Sequence, residues 1–168
     1  MRLLLLPLLA AGLLGNIATS QWQFRGPNPH AEPLTYAFIS SVGDPQSVQG
    51  TKIAVVRDVF SKFDNWKGNC SFDNCSILIA IEGQTPERGA TINALFSNGE
   101  TLTWQVTDGL SAMHNYSRVN MATTNKFVQQ VRAANWVEVS YGQKSHRFSL
   151  KGSSKALDGI LPLIKVDK

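Results

Sequence analysis

Cysteine and histidine are scarce in this chain of 168 residues. It has two cysteines and three histidines, and the histidines, His30, His114 and His146, lie far apart in sequence. A zinc site needs about four cysteine or histidine ligands, usually at short spacing. No glycine-rich phosphate loop follows a predicted strand either. We therefore expect no metal site and no bound cofactor.

Long apolar runs are also rare, and the one that stands out is residues 3–14, close to the N-terminus. A membrane-spanning helix needs roughly 20 apolar residues, so this run of about a dozen is too short. Arg2 precedes it, and Ala18 and Ser20 have the small-x-small spacing of a signal-peptidase site. We predict that residues 1–20 are a signal peptide. The mature chain is then periplasmic or secreted and has no transmembrane segment.

The two cysteines lie in the stretch NWKGNCSFDNCS, residues 65–76, whose glycine, asparagine, aspartate and serine content is typical of a turn. An exported chain folds where thiols oxidise. A bridge between Cys70 and Cys75 would contribute about 2 kcal/mol through loop entropy. Free thiols are one alternative, and a metal or redox pair, which is usually C-x-x-C, is another. We predict a disulfide between Cys70 and Cys75.

Several runs have the pattern of β-strands. Residues 76–82, SILIAIE, are apolar without polar alternation, which predicts a strand covered on both faces. Residues 90–96 and 101–107 flank Asn98-Gly99, a strong hairpin signal. The second run alternates as a half-buried antiparallel strand does. Its apolar face carries Leu102, Trp104 and Val106.

Two short helices are predicted in the C-terminal half. Thr124 is a suitable cap for a helix that continues to residues 131–134. Residues 136–141 and 146–150 read as the next two strands, and Gly152 precedes the last helix. We therefore predict an α+β, mainly β fold: an antiparallel sheet or sandwich with two short helices. The apolar helix positions are Phe127, Val128 and Val131, then Ala156, Leu157, Ile160 and Leu161.

Proline is concentrated just after the predicted cleavage site. Prolines at this density disfavour helix and weaken ladder pairing. We expect residues 21–50 to form an irregular leader, with residues 34–40 as a candidate edge strand. Docking of Trp22 and Phe24 on the body is favoured over an exposed arm. Residues 51–168 are predicted to form a single β-rich domain.

Positive charge is concentrated near the C-terminus. Residues 126–168 contain 8 of the 16 Lys and Arg residues and 3 of the 12 Asp and Glu residues. The net charge of this segment is therefore +5, and that of the remainder of the chain is −1. A solvated surface explains this most simply, and a face for an acidic partner is the alternative. Nucleic acid is not expected, because basic and aromatic residues are not interleaved. The best candidates for a partner-binding face are Lys144, Arg147, Lys151 and Lys155.

No complete catalytic pattern is evident. Residues 109–113, GLSAM, lack the second glycine of a nucleophile elbow. His146 is predicted to face Glu138 across a strand pair, which suits a structural role as well as a catalytic one. We therefore predict that the protein is not an enzyme. The alternative is an exported hydrolase with a loop-assembled site based on His114 or His146.

The segments FVQQVRAANWVEVSYGQ, residues 127–143, and HRFSLKGSSKALDGI, residues 146–160, carry a resemblance. A helix leads into a V-x-V strand, the next strand ends in S-L-x-G, and a helix with Ala-Leu follows. This pattern resembles the invasion-associated locus B family of exported bacterial proteins and, more loosely, periplasmic accessory proteins of type VI secretion. The resemblance implies a β-rich envelope protein that acts by binding. From the signal peptide, the short disulfide and the lack of a catalytic pattern, we predict a non-enzymatic binding protein whose partner is another envelope or secretion-system protein, or a toxin.

The signal peptide and the disulfide are tested together by intact mass. We expect the mature protein to begin at Gln21 and to be lighter by two hydrogen atoms than its reduced form. Native mass spectrometry before and after reduction and alkylation measures both. A purified species that retains Met1 and has two alkylatable thiols would contradict both predictions.

Overall fold

The computed structural model describes residues 20–26, 34–58, 75–106 and 121–160. These residues form eight strands and two helices, which confirms the predicted class of a mainly β fold with two C-terminal helices. The elements are β1 (Gln23–Arg25), β2 (Leu34–Ser40), β3 (Lys52–Asp58), β4 (Cys75–Ala80), β5 (Thr91–Phe96), β6 (Thr101–Gln105), α1 (Met121–Ala133), β7 (Trp136–Tyr141), β8 (Lys144–Ser149) and α2 (Ser153–Ile160).

The strands form two antiparallel sheets of four strands each. Sheet 1 has the order β1-β2-β3-β4, and sheet 2 has the order β6-β5-β7-β8. Strands β5 and β6 are the hairpin predicted at Asn98-Gly99, and Gly99 has the positive φ of 87° that its turn requires. The connection from β4 to β5 carries the chain from sheet 1 to sheet 2.

One apolar core lies between the sheets. Strand alternation directs every second side chain of each sheet into it. Both helices pack at its margin with the apolar stripes that the sequence predicts, among them Phe127 and Leu157, which are both fully buried. The largest fully buried residues of this core are Phe96, Phe127, Ile53, Ile77, Ile79, Ile92, Leu157 and Ile160.

The opposite face of sheet 1 is apolar as well. Five residues of β2, β3 and β4 form a second cluster there, and each is at most 3% exposed. Strands β2, β3 and β4 are therefore buried on both faces, whereas the residues of β1 are exposed. For residues 76–81 this confirms the prediction of a strand covered on both sides, while Glu82 lies beyond the strand and is exposed. The cluster consists of Tyr36, Phe38, Ala54, Val56 and Leu78.

The segment predicted as an irregular leader supplies two strands of sheet 1. The candidate edge strand, residues 34–40, is β2, which pairs with β1 on one side and β3 on the other. The prediction of an edge was therefore wrong. The reason is that β2 itself contains no proline. Pro45 follows the strand, so it removes no backbone N–H from the hydrogen bonds of β2 with its neighbours. Pro27, Pro29 and Pro33 lie outside the described residues.

Trp22 docks on the core, as predicted. It is 4% exposed, and its Nε1 donates a hydrogen bond of 2.9 Å to the carbonyl oxygen of Ser149. Its backbone N–H donates to the carbonyl oxygen of Lys151 at 2.8 Å. Phe24, by contrast, is 46% exposed, and its ring lies against Gly159 of α2.

The helices differ from prediction at one end. Thr124 lies inside α1 and is buried, so it is not the cap that its residue type suggests. The last described residue of α2 is Ile160. The buried guanidinium of Arg57 donates a hydrogen bond of 2.8 Å to the carbonyl oxygen of Ile160. A cation at this end also suits the helix dipole.

Gly159 allows α2 to approach β1. A methyl group added there would lie 2.5 Å from Cδ2 and 3.0 Å from Cβ of Phe24. We expect Gly159→Ala to lower the free energy of unfolding by about 1 kcal/mol, because overpacking of about 1–3 kcal/mol exceeds the helix-propensity gain of about 1 kcal/mol. Urea denaturation followed by circular dichroism measures the change.

The matched control is the same substitution in a Phe24→Ala background. Without the ring, only the gain in helix propensity remains, so Gly159→Ala should raise the free energy of unfolding there. A stabilising effect in both backgrounds would contradict the contact between Phe24 and Gly159.

Candidate functional site

The face of sheet 2 that points away from the core is exposed on all four strands. Alternation produces it: in β5 and β7 every second residue is buried, and the residues between them are exposed or partly exposed. We call this surface the outer face. It carries Thr101, Thr103 and Gln105 of β6, Thr91, Asn93 and Leu95 of β5, Trp136, Glu138 and Ser140 of β7, and Ser145, Arg147 and Ser149 of β8.

A compact group of side chains lies at the β7–β8 side of the outer face. The guanidinium carbon of Arg147 lies 4.0 Å from the centre of the Trp136 ring. The same guanidinium donates two hydrogen bonds to Oε2 of Glu138, at 3.0 Å and 3.3 Å. Leu95 pairs with Glu138 on the adjacent strand and is 42% exposed. We call Trp136, Glu138, Arg147 and Leu95 the Trp–Arg cluster.

The Trp–Arg cluster orients its arginine more than it stabilises the fold. The side chain of Arg147 is 57% exposed and that of Glu138 is 38% exposed. An exposed ion pair contributes about 0–1 kcal/mol, and an exposed cation–π contact about 0.5–1 kcal/mol. Both contacts hold the guanidinium flat on the indole, so that less side-chain entropy is lost when a partner binds it.

The remainder of the outer face is polar and uncharged. Thr103 Oγ1 donates a hydrogen bond of 2.9 Å to Oδ1 of Asn93 on the neighbouring strand. Ser140 and Ser145 continue the same row across β7 and β8. The outer face therefore has one aromatic and charged side and one side of hydroxyl and amide groups.

The four basic residues predicted to bind a partner do not share one face. Arg147 lies on the outer face, whereas strand alternation places Lys144 on the opposite side of β8. Lys151 lies in the turn after β8, and Lys155 is exposed on α2. Lys144 and Lys151 lie at opposite ends of β8, which is about 20 Å long at 3.3 Å per residue.

Lys144 instead fixes the connection between the two sheets. Its Nζ lies 2.6 Å from Oε2 of Glu82, a residue with a positive φ of 53°. The hydrogen bond from Lys144 lowers the pKa of Glu82, and the charges of Lys144 and His146 lower it further. Glu82 therefore stays ionised in the neutral range.

A cleft of about 580 Å³ lies beside this ion pair, between the β4–β5 connection and the β7–β8 turn. Its wall is mixed: a few apolar groups alternate with amide, hydroxyl and charged groups. Such a cleft is large enough for a small polar ligand or for one side chain of a protein partner. Its lining residues are Gln84, Thr85, Pro86, Glu87, Ala90, Tyr141, Gly142, Gln143 and Lys144.

The hydroxyl of Tyr141 holds the cleft wall in place. It donates a hydrogen bond of 2.6 Å to the carbonyl oxygen of Gln84 and accepts one of 2.9 Å from the N–H of Ile81. Burial raises the pKa of Tyr141 to about 12, because the charged phenolate is poorly solvated there. This hydroxyl therefore ties β7 of sheet 2 to the end of β4 in sheet 1.

His146 does not form the predicted pair with Glu138. Val139 is its cross-strand partner, and Arg147 takes the place opposite Glu138. The register places them so because the turn after β7 is tighter than predicted and β8 begins at Lys144. The His146 ring lies 4.6 Å from the Phe148 ring and does not line the cleft. His114 lies outside the described residues.

Trp136 is only partly buried, whereas Trp104 is a core residue at 6% exposure. The sequence contains the signal that distinguishes them. In WVEVSY, alternation puts Trp136 on the same side as Glu138 and Ser140. The apolar side of that strand is Val137, Val139 and Tyr141.

The remaining site predictions have different outcomes. Cys70 lies outside the described residues and Cys75 begins β4, so the disulfide between them stays a prediction. Among residues 20–26, 34–58, 75–106 and 121–160, no three His, Cys, Asp or Glu side chains come together as metal ligands. The helices described in these ranges are too short or too polar to cross a bilayer.

Comparison with known proteins adds no relative. The chain matches no family model, no curated protein and no solved structure.

Removal of the Tyr141 hydroxyl tests its role. Tyr141→Phe leaves the N–H of Ile81 and the carbonyl of Gln84 with only the 2.9 Å bond that they form with each other. We expect a loss of about 1–2 kcal/mol in the free energy of unfolding and faster amide exchange at Ile81. Hydrogen-exchange NMR and urea denaturation measure the two effects, and exchange unchanged at Ile81 would contradict the role.

The pH dependence of unfolding provides a second measurement. The folded-state pKa of about 12 exceeds the ordinary value of 10.0, so the phenol contributes its full stability below pH 10. That contribution is lost as the pH rises from 10 towards 12. In Tyr141→Phe this part of the alkaline loss should be absent.

Proposed function

We propose that this protein is a non-enzymatic binding protein that is exported to the bacterial periplasm or secreted and contacts a protein partner through the outer face of sheet 2. The partner belongs to the cell envelope or a secretion system, or is a toxin. The observation that carries the proposal is the Trp–Arg cluster, in which Arg147 is stacked on Trp136 and still 57% exposed.

The chemistry of the cluster suits a protein interface. Tryptophan and arginine are enriched among the residues that contribute most to protein–protein affinity. Arg147 is held in place by Glu138 and Trp136, yet half of its surface remains available to a partner. Leu95 provides an exposed apolar group beside them. Together these residues form a small patch with apolar, aromatic and charged character.

The size of the outer face indicates how far the contact must extend. Four strands about 4.8 Å apart and about 20 Å long give roughly 400 Å². A stable interface buries about 800 Å² on each partner. The partner must therefore also contact neighbouring surface. Beyond Ser149, the strand leads to Lys151 and Lys155, and both are exposed.

This position favours a partner with acidic groups. Arg147, Lys151 and Lys155 lie towards the same end of β8, and each is exposed. Carboxylates of the partner can bind the free N–H groups of Arg147 in bidentate geometry. Lys151 and Lys155 then increase the association rate more than the affinity. Lys144, paired with Glu82 on the other side of β8, is not part of this surface.

Site-specific photo-crosslinking in the native host tests the proposal. A photoreactive residue at Ser145, on the outer face, should give a discrete adduct with one protein. The same residue at Gln129, exposed on α1, should not. We expect Arg147→Glu to reduce the Ser145 adduct at least about tenfold, because both the stack and the bond to the partner are lost.

The control for charge is Lys126→Glu on α1, which makes the same charge change far from the outer face. It should leave the adduct and its yield unchanged. An adduct that persists in Arg147→Glu while thermal melting is unchanged would refute the outer face as the contact surface. Osmotic-shock fractionation of the same cells checks that the protein is exported.

A further inference from the structure

Strand β6 is an edge of sheet 2 that carries no charged residue. Within the described residues it pairs only with β5. Its sequence, TLTWQ, contains no proline, lysine or acidic residue. Edge strands usually carry such residues, because they discourage pairing with another chain. The opposite edge of the same sheet, β8, follows that rule with Lys144, His146 and Arg147.

The phase of the ladder shows which backbone groups of β6 point outwards. The N–H of Phe96 bonds to the carbonyl of Glu100, and the N–H of Val106 bonds to that of Ala90, each at 2.9 Å. In an antiparallel pair, hydrogen-bonded and non-hydrogen-bonded residue pairs alternate. The alternate residues Leu102 and Trp104 therefore bond to β5. The backbone groups of Thr101, Thr103 and Gln105 point away from it.

These outward groups have no partner among the described residues. Within the described ranges, no backbone hydrogen bond outside the β5–β6 ladder involves the N–H or C=O of Thr101, Thr103 or Gln105. Their side chains are exposed. Helix α1 packs on the inner side of the strand, where the rings of Phe127 and Trp104 lie 5.8 Å apart. The helix therefore contacts the core face of β6.

We propose that two copies of this chain pair through β6 and form a two-fold symmetric dimer. The two strands run antiparallel, with the symmetry axis at Thr103. The three residues with outward backbone groups then face each other: Thr103 lies opposite Thr103 of the second copy, and Thr101 lies opposite Gln105. Each outward N–H meets an outward C=O, so that every such group is satisfied.

A second copy fits this edge because the register is self-complementary. Strand β6 has five residues, and the backbone groups of the first, third and fifth point outwards. Such a strand can pair antiparallel with the same strand of a second copy, so that all five residues lie opposite one another. No like charges face each other, and Thr–Thr pairs are favourable across strands. The contact is isologous, so it closes as a dimer and does not propagate into a fibre.

The dimer joins the two copies of sheet 2 into one continuous eight-stranded sheet. Because the axis is perpendicular to that sheet, both outer faces lie on the same side. The two copies of Arg147 then lie about 34 Å apart across the sheet, since seven strand spacings of about 4.8 Å separate the two copies of β8. The proposed dimer does not depend on the Trp–Arg cluster, which lies towards the other edge of sheet 2.

Sedimentation equilibrium of the mature protein tests the dimer over concentrations up to about 100 µM. We expect the mass of a dimer. Thr103→Lys places two ammonium groups against each other at the axis and should raise the dissociation constant at least about tenfold. Thr103→Glu should do the same. Mixing the two variants should restore a heterodimer, which shows that neither change has unfolded the protein.

Two further variants test whether the dimer forms through the β6 edge. Thr103→Pro removes an N–H that points away from β5, so it should break the dimer and leave the β5–β6 hairpin intact. Ser145→Lys adds the same charge at the β8 edge and should remain dimeric. A monomeric wild-type protein throughout the range, or a dimer that Thr103→Lys and Thr103→Pro leave unchanged, would overturn the proposal. If β6 instead accepts a strand of a different protein, the purified chain will sediment as a monomer, which also contradicts the dimer.

Discussion

The apolar layer between the two sheets is the constraint on which the remaining structure depends. Sheet 1 supplies β-branched residues such as Ile53 and Ile79 to that layer, and sheet 2 supplies Phe96 and Val139. Sheet 1 is also apolar and buried on its other face, whereas sheet 2 alternates strictly. Only sheet 2 can therefore present an extended polar face to water, and the candidate site follows from that asymmetry.

A few polar contacts determine how the other elements close around this layer. The Tyr141 hydroxyl joins the end of β4 to β7. The Arg57 guanidinium reaches across to the end of α2 at Ile160. The indole of Trp22 binds the end of β8. The contacts of Arg57 and Trp22 satisfy carbonyl groups at the ends of α2 and β8, and the Tyr141 hydroxyl adds to the bridge between Ile81 and Gln84. Such bonds fix the position of an element more than they raise the free energy of unfolding.

Local patterns in the sequence predicted most of the fold. Alternation located β7, and Asn98-Gly99 located the β5–β6 hairpin, because both signals arise from neighbouring residues. The place of β2 inside sheet 1 depends on its pairing with distant β3, which no local pattern reveals. The cleft at Tyr141 was missed for the same reason. Of the predicted contact residues, Arg147 lies on the outer face and Lys144 does not, which alternation along β8 already implies.

The anchoring of Trp22 has a consequence for the order of maturation. The proposed signal-peptidase cut after Ser20 lies one residue before a tryptophan whose backbone and ring are both bonded within the folded body. A protease needs several residues of extended, accessible chain on each side of the bond that it cleaves. If the chain is cut after Ser20, the cut must be made before Trp22 reaches its place. A precursor that folds first would be a poor substrate, and would keep its leader tethered to the membrane.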